Sequence, residues 1–351
     1  MVRWHPLANG LVAVALNDGL VQILDITSAS AARIELPPQE KSLLSMAWNA
    51  AGTSLATVAR DGHLRVYHPR ESTVPIISAA VLEKTTGARV LFACDDRLVV
   101  LVHFSKSSTR QVSLYWAETL EHAHTKPVDT TPQVLVPHYD YDSSVLSLTG
   151  KGDRTIQMFE VCPEQPWLLE LAPYRASKSH QALSFQQKNK CDVAAVEFQR
   201  GYRLCDGAVE MLSFRVPRIK KGQFQADLFP DALVTWEATM TAADWLEGAS
   251  GRPAFRSLRP DGLPLMTPAP AGVPKKAAAA PIPEEQTPRS APKQSAQSTA
   301  KRDESSQEPA AGKEQLAGSL AATIDAALPN DGVLEQDGMD GVDKTEWGDD
   351  Y

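Results

Sequence analysis

Through the first two thirds of the chain, apolar and polar residues alternate in short runs that are broken at close intervals by small polar turn residues. Period-two alternation puts successive side chains on opposite faces of an extended strand, so runs such as Leu55 to Arg60 and Leu64 to Tyr67 predict strands. The runs recur in groups. Trp4 to Asp25 reads WHPLANGLVAVALNDGLVQILD and Trp48 to Tyr67 reads WNAAGTSLATVARDGHLRVY, and the Asp-Gly pairs Asp18-Gly19 and Asp61-Gly62 lie 43 residues apart. A third copy, SSVLSLTGKGDRTIQMFEV, places Asp153 92 residues beyond Asp61, close to two periods. Between them RLVVLVHFSKSSTRQVSLYW supplies a copy without the Asp, and a fifth begins near Asp192 and ends in AVEMLSFRV. A further run, such as Arg33 to Leu36 or Trp167 to Leu171, precedes the next copy.

Four strands in each repeat of this length describe the blade of a β-propeller of the WD40 kind. The fold class is therefore all-β: a partial WD40-like propeller of about five blades over residues 1–218, followed by a strap (219–266) and a disordered C-terminal tail. A β-sandwich, which also spaces its strands at short regular intervals, is the alternative. Asp18, Asp61 and Asp153 fall in tight turns, where a carboxylate caps backbone N–H groups and accepts from a neighbouring strand, so their expected role is structural. The usual Gly-His and Trp-Asp signatures are absent; Leu24-Asp25, Tyr67-His68 and Phe159-Glu160 stand where Trp-Asp would.

Beyond about Thr267 the texture changes. Residues 267–330 are rich in Pro, Ala, Ser, Lys and Glu and read as a disordered linker, because they cannot bury enough apolar area to offset their ordering entropy. Within it, Glu314 to Leu328 spaces Leu316, Leu320, Ile324 and Leu328 four apart on one broad helical face; it is either a helix that forms on a partner or an Ala-rich spacer. Charge is uneven as well. The chain carries a net −8, but residues 331–351 hold eight acids and one base, leaving 35 acids and 34 bases elsewhere. A near-neutral body argues against bulk electrostatic binding of nucleic acid or of an anionic membrane. No apolar stretch is long enough to span a bilayer, and the first residues lack a secretory signal. Four cysteines without a C-x-x-C pair indicate neither zinc nor a disulfide framework, and suit a reducing cytoplasm. No cofactor, metal or catalytic residue is expected. His122 and His124 lack an obvious third ligand, and Gly150-Lys151-Gly152-Asp153 lacks phosphate-loop spacing, which leaves a propeller hydrolase as a minor alternative.

The stretch from Lys188 to Pro264 departs from a generic blade. Asn189-Lys190-Cys191-Asp192-Val193, Phe198-Gln199-Arg200, Phe214-Arg215-Val216-Pro217-Arg218, Phe224 to Asp231 and Trp245-Leu246-Glu247-Gly248 resemble the closing blade and strap of the coronin family of actin-regulatory propeller proteins. The resemblance covers most of residues 1 to 265. It implies a non-catalytic actin-cytoskeleton adaptor whose partners are filamentous actin, the Arp2/3 complex and vesicle-trafficking adaptors. It also implies a cytoplasmic, cytoskeleton-associated protein, peripheral at the Golgi and on vesicles. An acidic, Trp-bearing end in place of a coiled coil is similar to the long tandem-propeller members, as a short isoform or fragment of one would be. Coronin propellers have seven blades; about five here imply either a smaller re-closed ring or an open one. A scaffold for trafficking proteins without actin binding is the other reading.

The sharpest candidate lies in the acidic tail, where Asp343, Glu346, Trp347, Asp349 and Asp350 resemble the motif with which nucleation-promoting factors engage Arp2/3. Carboxylates would steer the tail to a basic surface and the indole would anchor it, at about 5 kcal/mol gross for burial against about 0.2 to 1 for each exposed ion pair. A solubilising terminus is the plainer reading. On the propeller, Arg200, Arg203, Arg215, Arg218, Lys220 and Lys221 cluster in sequence, either as an actin-facing patch or as the solvated edge of the last blade.

Overall fold

The computed structural model describes residues 1–28, 33–218 and 222–265. Five antiparallel sheets follow one another along the chain, each built from strands in sequence order. The first contains Val2–Trp4, Leu11–Ala15, Val21–Asp25 and Arg33–Leu36, and the second Leu43–Trp48, Leu55–Ala59, His63–Tyr67 and Ile77–Ala80. The third contains Ala88–Ala93, Leu98–Phe104, Arg110–Trp116 and His122–Asp129, and the fourth Leu135–Asp140, Val145–Gly150, Thr155–Val161 and Leu168–Arg175. The fifth has three strands among the described residues, His180–Phe185, Glu197–Cys205 and Ala208–Arg215.

The first strands of the first four sheets lie side by side, and the first strand of the fifth lies beside the second strand of the fourth, which makes the first strands the inner strands of radiating blades. Arg3 and Arg89 donate from the first and third sheets to the Met46 and Leu44 carbonyls on the inner strand of the second, and Val90 N–H donates to Ser45 Oγ. Every residue of Leu55–Ala59, Leu98–Phe104 and Val145–Gly150 is buried, because these strands have a neighbouring sheet on both faces. Apolar side chains from adjoining sheets fill the spaces between them, as where Leu44, Val58 and Leu64 meet Val90, Phe92 and Leu101.

The Asp-Gly turns join second to third strands. Gly19 and Gly62 have φ of +88° and +89°, a region that a residue with a Cβ enters at a cost, and a Cβ on Gly19 would come within 2.9 Å of the Gln39 carbonyl oxygen. The fifth sheet differs from the sequence reading. It begins at His180 rather than near Asp192, because residues 188–196 form two 3-10 turns between its first and second strands. Asp192 caps the second of these turns by accepting from Ala195 N–H. His122 and His124 lie on the outer strand of the third sheet.

After the fifth sheet the chain runs back across the array. Leu228 and Phe229 join the core shared by the fourth and fifth sheets. Ala232–Leu233 pairs with Phe255–Arg256, Met240–Thr241 pairs in parallel with Ala8–Asn9 in the link between the first and second strands of the first sheet, and the short helix Ala242–Leu246 packs there. No described helix is long and apolar enough to cross a membrane.

Candidate partner-binding surface

Hairpin connections divide the blade array into two faces. Turns between first and second strands lie on one face, which the strap crosses. The Asp-Gly turns and the links from one sheet to the next lie on the other.

The strap is clasped by residues that start 240 positions earlier. His5 Nδ1 accepts from Leu7 and Ala8 N–H at 3.1 and 2.8 Å, so its proton is on Nε2, which donates to the Gly52 carbonyl at 2.8 Å. Trp245 Nε1 donates to the same carbonyl at 3.2 Å. His5, Trp48 and Trp245 form a mutual edge-to-face cluster with centroids 4.9 to 5.9 Å apart. Arg70 lies over the Trp245 ring and donates to the Trp245 and Ala249 carbonyls. Gly52 has φ of +67°, and a Cβ there would meet the His5 ring at 2.3 Å, so the residue type is dictated twice. Burial pushes His5 down to about 4, which keeps the imidazole neutral and its Nδ1 free to accept. Thr241 and Asp244 complete a reciprocal capping box at the start of the strap helix.

The three predicted turn carboxylates do different work. Asp18 accepts from Leu20 N–H, at an exposed turn, and from no other donor among the described residues. Asp61 accepts from His63 N–H and from Arg65 at 2.5 Å; Arg65 also donates to Gln39 Oε1, in the link between the first and second sheets. Asp153 accepts from Gly150 N–H and from Arg110 of the third sheet at 2.9 Å, and Arg110 is held on its other side by Asp129. Burial would raise Asp129, but the hydrogen bonds from Arg110 outweigh it and hold this carboxyl below the usual range. Asp61 and Asp153 thus tie neighbouring blades, whereas Asp18 shapes its own turn.

The cationic run near the end of the blades is spent internally. Arg200 pairs with Glu197, Arg203 is buried against Glu210, Arg218 pairs with Asp227, and Arg215 donates to Ser213. Lys220 and Lys221 lie outside the described residues. A different set of cations reaches solvent: Arg60, Lys106, Lys151, Arg154 and Lys178, all exposed, and the half-buried Lys84 stand on or beside the turn-bearing face of the second to fourth sheets. Among the described residues none of the six has an ion pair, and the acids interspersed with them, Asp61, Asp129 and Asp153, are already committed to Arg65 and Arg110; Glu83 accepts from Lys106 N–H. Sequence clustering missed this set because its members come from separate turns brought together only by the blade arrangement.

A cavity of about 310 Å³ opens on the strap side between the fourth and fifth sheets, lined by His138, Asp140, Asp142, Lys188, Cys191 and Phe198 among others. Lys188 is ion-paired with Asp140, and Asp142 accepts from the strap's Leu233 N–H at 2.8 Å. Burial raises Asp142 to about 6 and Cys191 to about 11 and lowers His138 to about 4. At neutral pH the cysteine is therefore a thiol and the histidine an unprotonated imidazole. No three His, Cys, Asp or Glu side chains of the described residues gather as a metal ion requires. The tail residues Asp343, Glu346, Trp347, Asp349 and Asp350 and the segment 314–328 lie outside the described residues.

Comparison with known proteins adds to this geometry. A family model described as a type of WD40 repeat matches residues 209–253. Coronin-7 of Mus musculus is 36% identical over 350 residues, 99% of this chain and 35% of that protein. Coronin-A of Dictyostelium discoideum is 33% identical over 221 residues, 62% of this chain and 48% of that protein. Among solved structures, the WD40 domain of Toxoplasma gondii coronin superposes with a TM-score of 0.68 at 26% identity, covering 74% of this chain and 67% of that one. The chain spans 35% of the length of the first curated relatives it matches.

Proposed function

Because this chain belongs to the coronin family, we propose that it is a non-catalytic adaptor of the actin cytoskeleton, with a WD40-type platform that docks on filamentous actin and an acidic, Trp-bearing end that engages the Arp2/3 complex. The observation that carries this reading is the set of six cations that reach solvent on the turn-bearing face, which suits a large anionic partner and leaves the strap-covered face for cohesion. The adaptor acts in the cytoplasm at the cytoskeleton. Contact with vesicle-trafficking adaptors and a peripheral place at the Golgi follow from the same resemblance.

Co-sedimentation of the full chain with actin filaments across a salt titration tests the platform. Binding is expected to fall as salt rises, to fall further when Lys151, Arg154 and Lys178 are changed together to Glu, and to survive removal of residues 331–351. Arp2/3 capture is expected to disappear with that removal, and to be weakened more by Trp347→Ala than by Asp349→Asn or any other single Asp→Asn change in 331–351. Filaments that never retain the protein at low salt refute the actin reading; equal, small effects of all tail substitutions refute the tail's role.

A further inference from the structure

The cavity on the strap side between the fourth and fifth sheets contains a charge that no contact among the described residues neutralises. From the fourth sheet it is lined by the end of Leu135–Asp140 and the turn that follows; from the fifth it is lined by the end of His180–Phe185, the first 3-10 turn and Phe198. At about 310 Å³ it falls at the small end of the range for small-molecule sites, roughly 300–1,000 Å³. Two carboxylates and one ammonium enter it. Asp140 is committed, because its Oδ2 accepts from Lys188 Nζ and from Ser143 Oγ. Asp142 accepts from the strap's Leu233 N–H through Oδ1 and has no ion pair among the described residues. Burial raises Asp142 only to about 6, so at neutral pH it is charged, while Cys191 is a thiol and His138 an unprotonated imidazole. The cavity therefore carries one net negative charge.

The fold does not need that charge. An amide oxygen at 142 would still accept from Leu233 N–H, and a carboxylate taken from water without a cation subtracts stability. Groups held in this way, inside a cleft and away from their ordinary protonation range, concentrate at binding sites. A second polar group is unmatched as well: His138 Nε2 is buried with no hydrogen-bond partner among the described residues, and its ring stands edge-to-face to Phe185 with centroids 5.0 Å apart.

These features select the chemistry of an occupant. An anion is repelled, and a neutral molecule would desolvate Asp142 further without supplying a counter-charge. A metal ion lacks a gathered set of ligands among the described residues. The rings of Tyr141, Phe185 and Phe198 suit an apolar stem and draw positive charge to their faces. With Asp142 Oδ1 engaged by the strap, one oxygen is left, which matches a compact ammonium better than the two-pronged fork of a guanidinium.

We propose that this cavity binds one organic ammonium ion, whose nitrogen donates to Asp142 and whose apolar stem lies among Tyr141, Phe185 and Phe198. The ammonium belongs to a small amine or to a lysine side chain of a partner, and the chemistry of recognition is the same for both. The proposal is independent of the actin reading, since the cations of the turn-bearing face take no part.

Ligand-observed NMR titration of the full chain with phenethylamine, protonated at pH 7.5, tests it. Phenethylamine is expected to bind, and phenethyl alcohol, its neutral analogue, to bind more weakly by about tenfold or more, because the charge-assisted hydrogen bond is lost. Phenylguanidine is expected to be weaker than the amine. Asp142→Asn is expected to keep the fold, checked by circular dichroism, and to weaken amine binding by about tenfold or more. Asp206→Asn, which removes an exposed carboxylate between Glu197–Cys205 and Ala208–Arg215, is expected to leave binding unchanged. Nα-acetyl-lysine methylamide separates the sources: an affinity equal to or above that of phenethylamine assigns the site to a partner's lysine, and a lower one to a free amine. Absence of amine binding at millimolar concentration, equal affinity for the alcohol, or equal amine affinity of Asp142→Asn and Asp206→Asn overturns the proposal. Phenylguanidine that binds as tightly as the amine overturns the choice of ammonium. Should Asp142→Asn fail to fold, the comparison of amine with alcohol on the wild type still decides.

Discussion

Replacing Trp245 by Ala isolates the clasp that holds the strap to the first two blades. The indole is 2% exposed, is edged by His5 and Trp48, is covered by Arg70, and hydrogen-bonds the Gly52 carbonyl. Removing a buried Trp side chain costs about 3 to 5 kcal/mol, and the presence of a rigid backbone turn on one side and two aromatic rings on the other limits how far the gap can collapse. The Gly52 oxygen stays satisfied, because His5 Nε2 still donates to it, so the hydrogen bond adds little to the loss. For a domain of this size each kcal/mol shifts the melting midpoint by about 2 to 4 °C, so the expected fall is about 10 °C. Thermal unfolding followed by circular dichroism measures it. Hydrogen exchange at the Thr239 and Met240 amides, both bonded to the Leu7 carbonyl, reports whether the strap has loosened before the blades unfold. Trp245→Phe is expected to lose only about 1 kcal/mol, since the ring edges remain. A Trp245→Ala protein that melts within about 2 °C of wild type, less than a single kcal/mol would shift it, with those amides still protected, refutes the clasp.

Two other outcomes follow from buried charge. Asp142, raised to about 6 by burial, holds its proton in the folded state to higher pH than in the unfolded chain, so its ionisation subtracts stability as pH rises from about 4 to about 6. Asp142→Asn keeps an oxygen for Leu233 N–H and is expected to melt higher than wild type at pH 7.5, with the gap closing below pH 4; an unchanged or lower midpoint at pH 7.5 contradicts the assignment. Arg110, almost fully buried between Asp129 and Asp153, is expected to cost about 3 kcal/mol on change to Leu, because two carboxylates then face each other, against about 1 for Asp153→Asn. Urea titration separates these, and equal midpoints for the two variants argue against Asp153 and Arg110 as a tie between blades.

The parts of this fold that a linear reading recovers are those in which the information is local. Leu55–Ala59 and His63–Tyr67 fall within a residue or two of their expected bounds, because strand alternation and an Asp-Gly turn with positive φ are properties of a few consecutive residues. Asp192, by contrast, carried a turn signal that belonged to a 3-10 segment within a blade, and spacing alone does not separate the two uses. The clustered arginines stayed undecided for a related reason: Glu197 and Glu210, which neutralise Arg200 and Arg203, are near in sequence, but whether they face the same side depends on strand register. His5 gave only a faint signal. Its role depends on Gly52 and on Trp245, 193 residues further on from that glycine, and only the three-dimensional arrangement brings them together. A His directly after a Trp, and a Gly in the polar turn of the next repeat, were the traces available.

The distance along the chain between the two halves of the clasp has a consequence for synthesis. The pocket formed by His5, Trp48 and Gly52 leaves the ribosome well before its plug, and at about 5 to 20 residues per second the wait for Trp245 is about 10 to 40 s. Throughout that interval a nascent chain presents an indole-lined hollow in which a holdase that recognises aromatic surface has time to bind. Closure of the clasp is then a late event, in which arrival of the strap fills a hollow built by residues made much earlier.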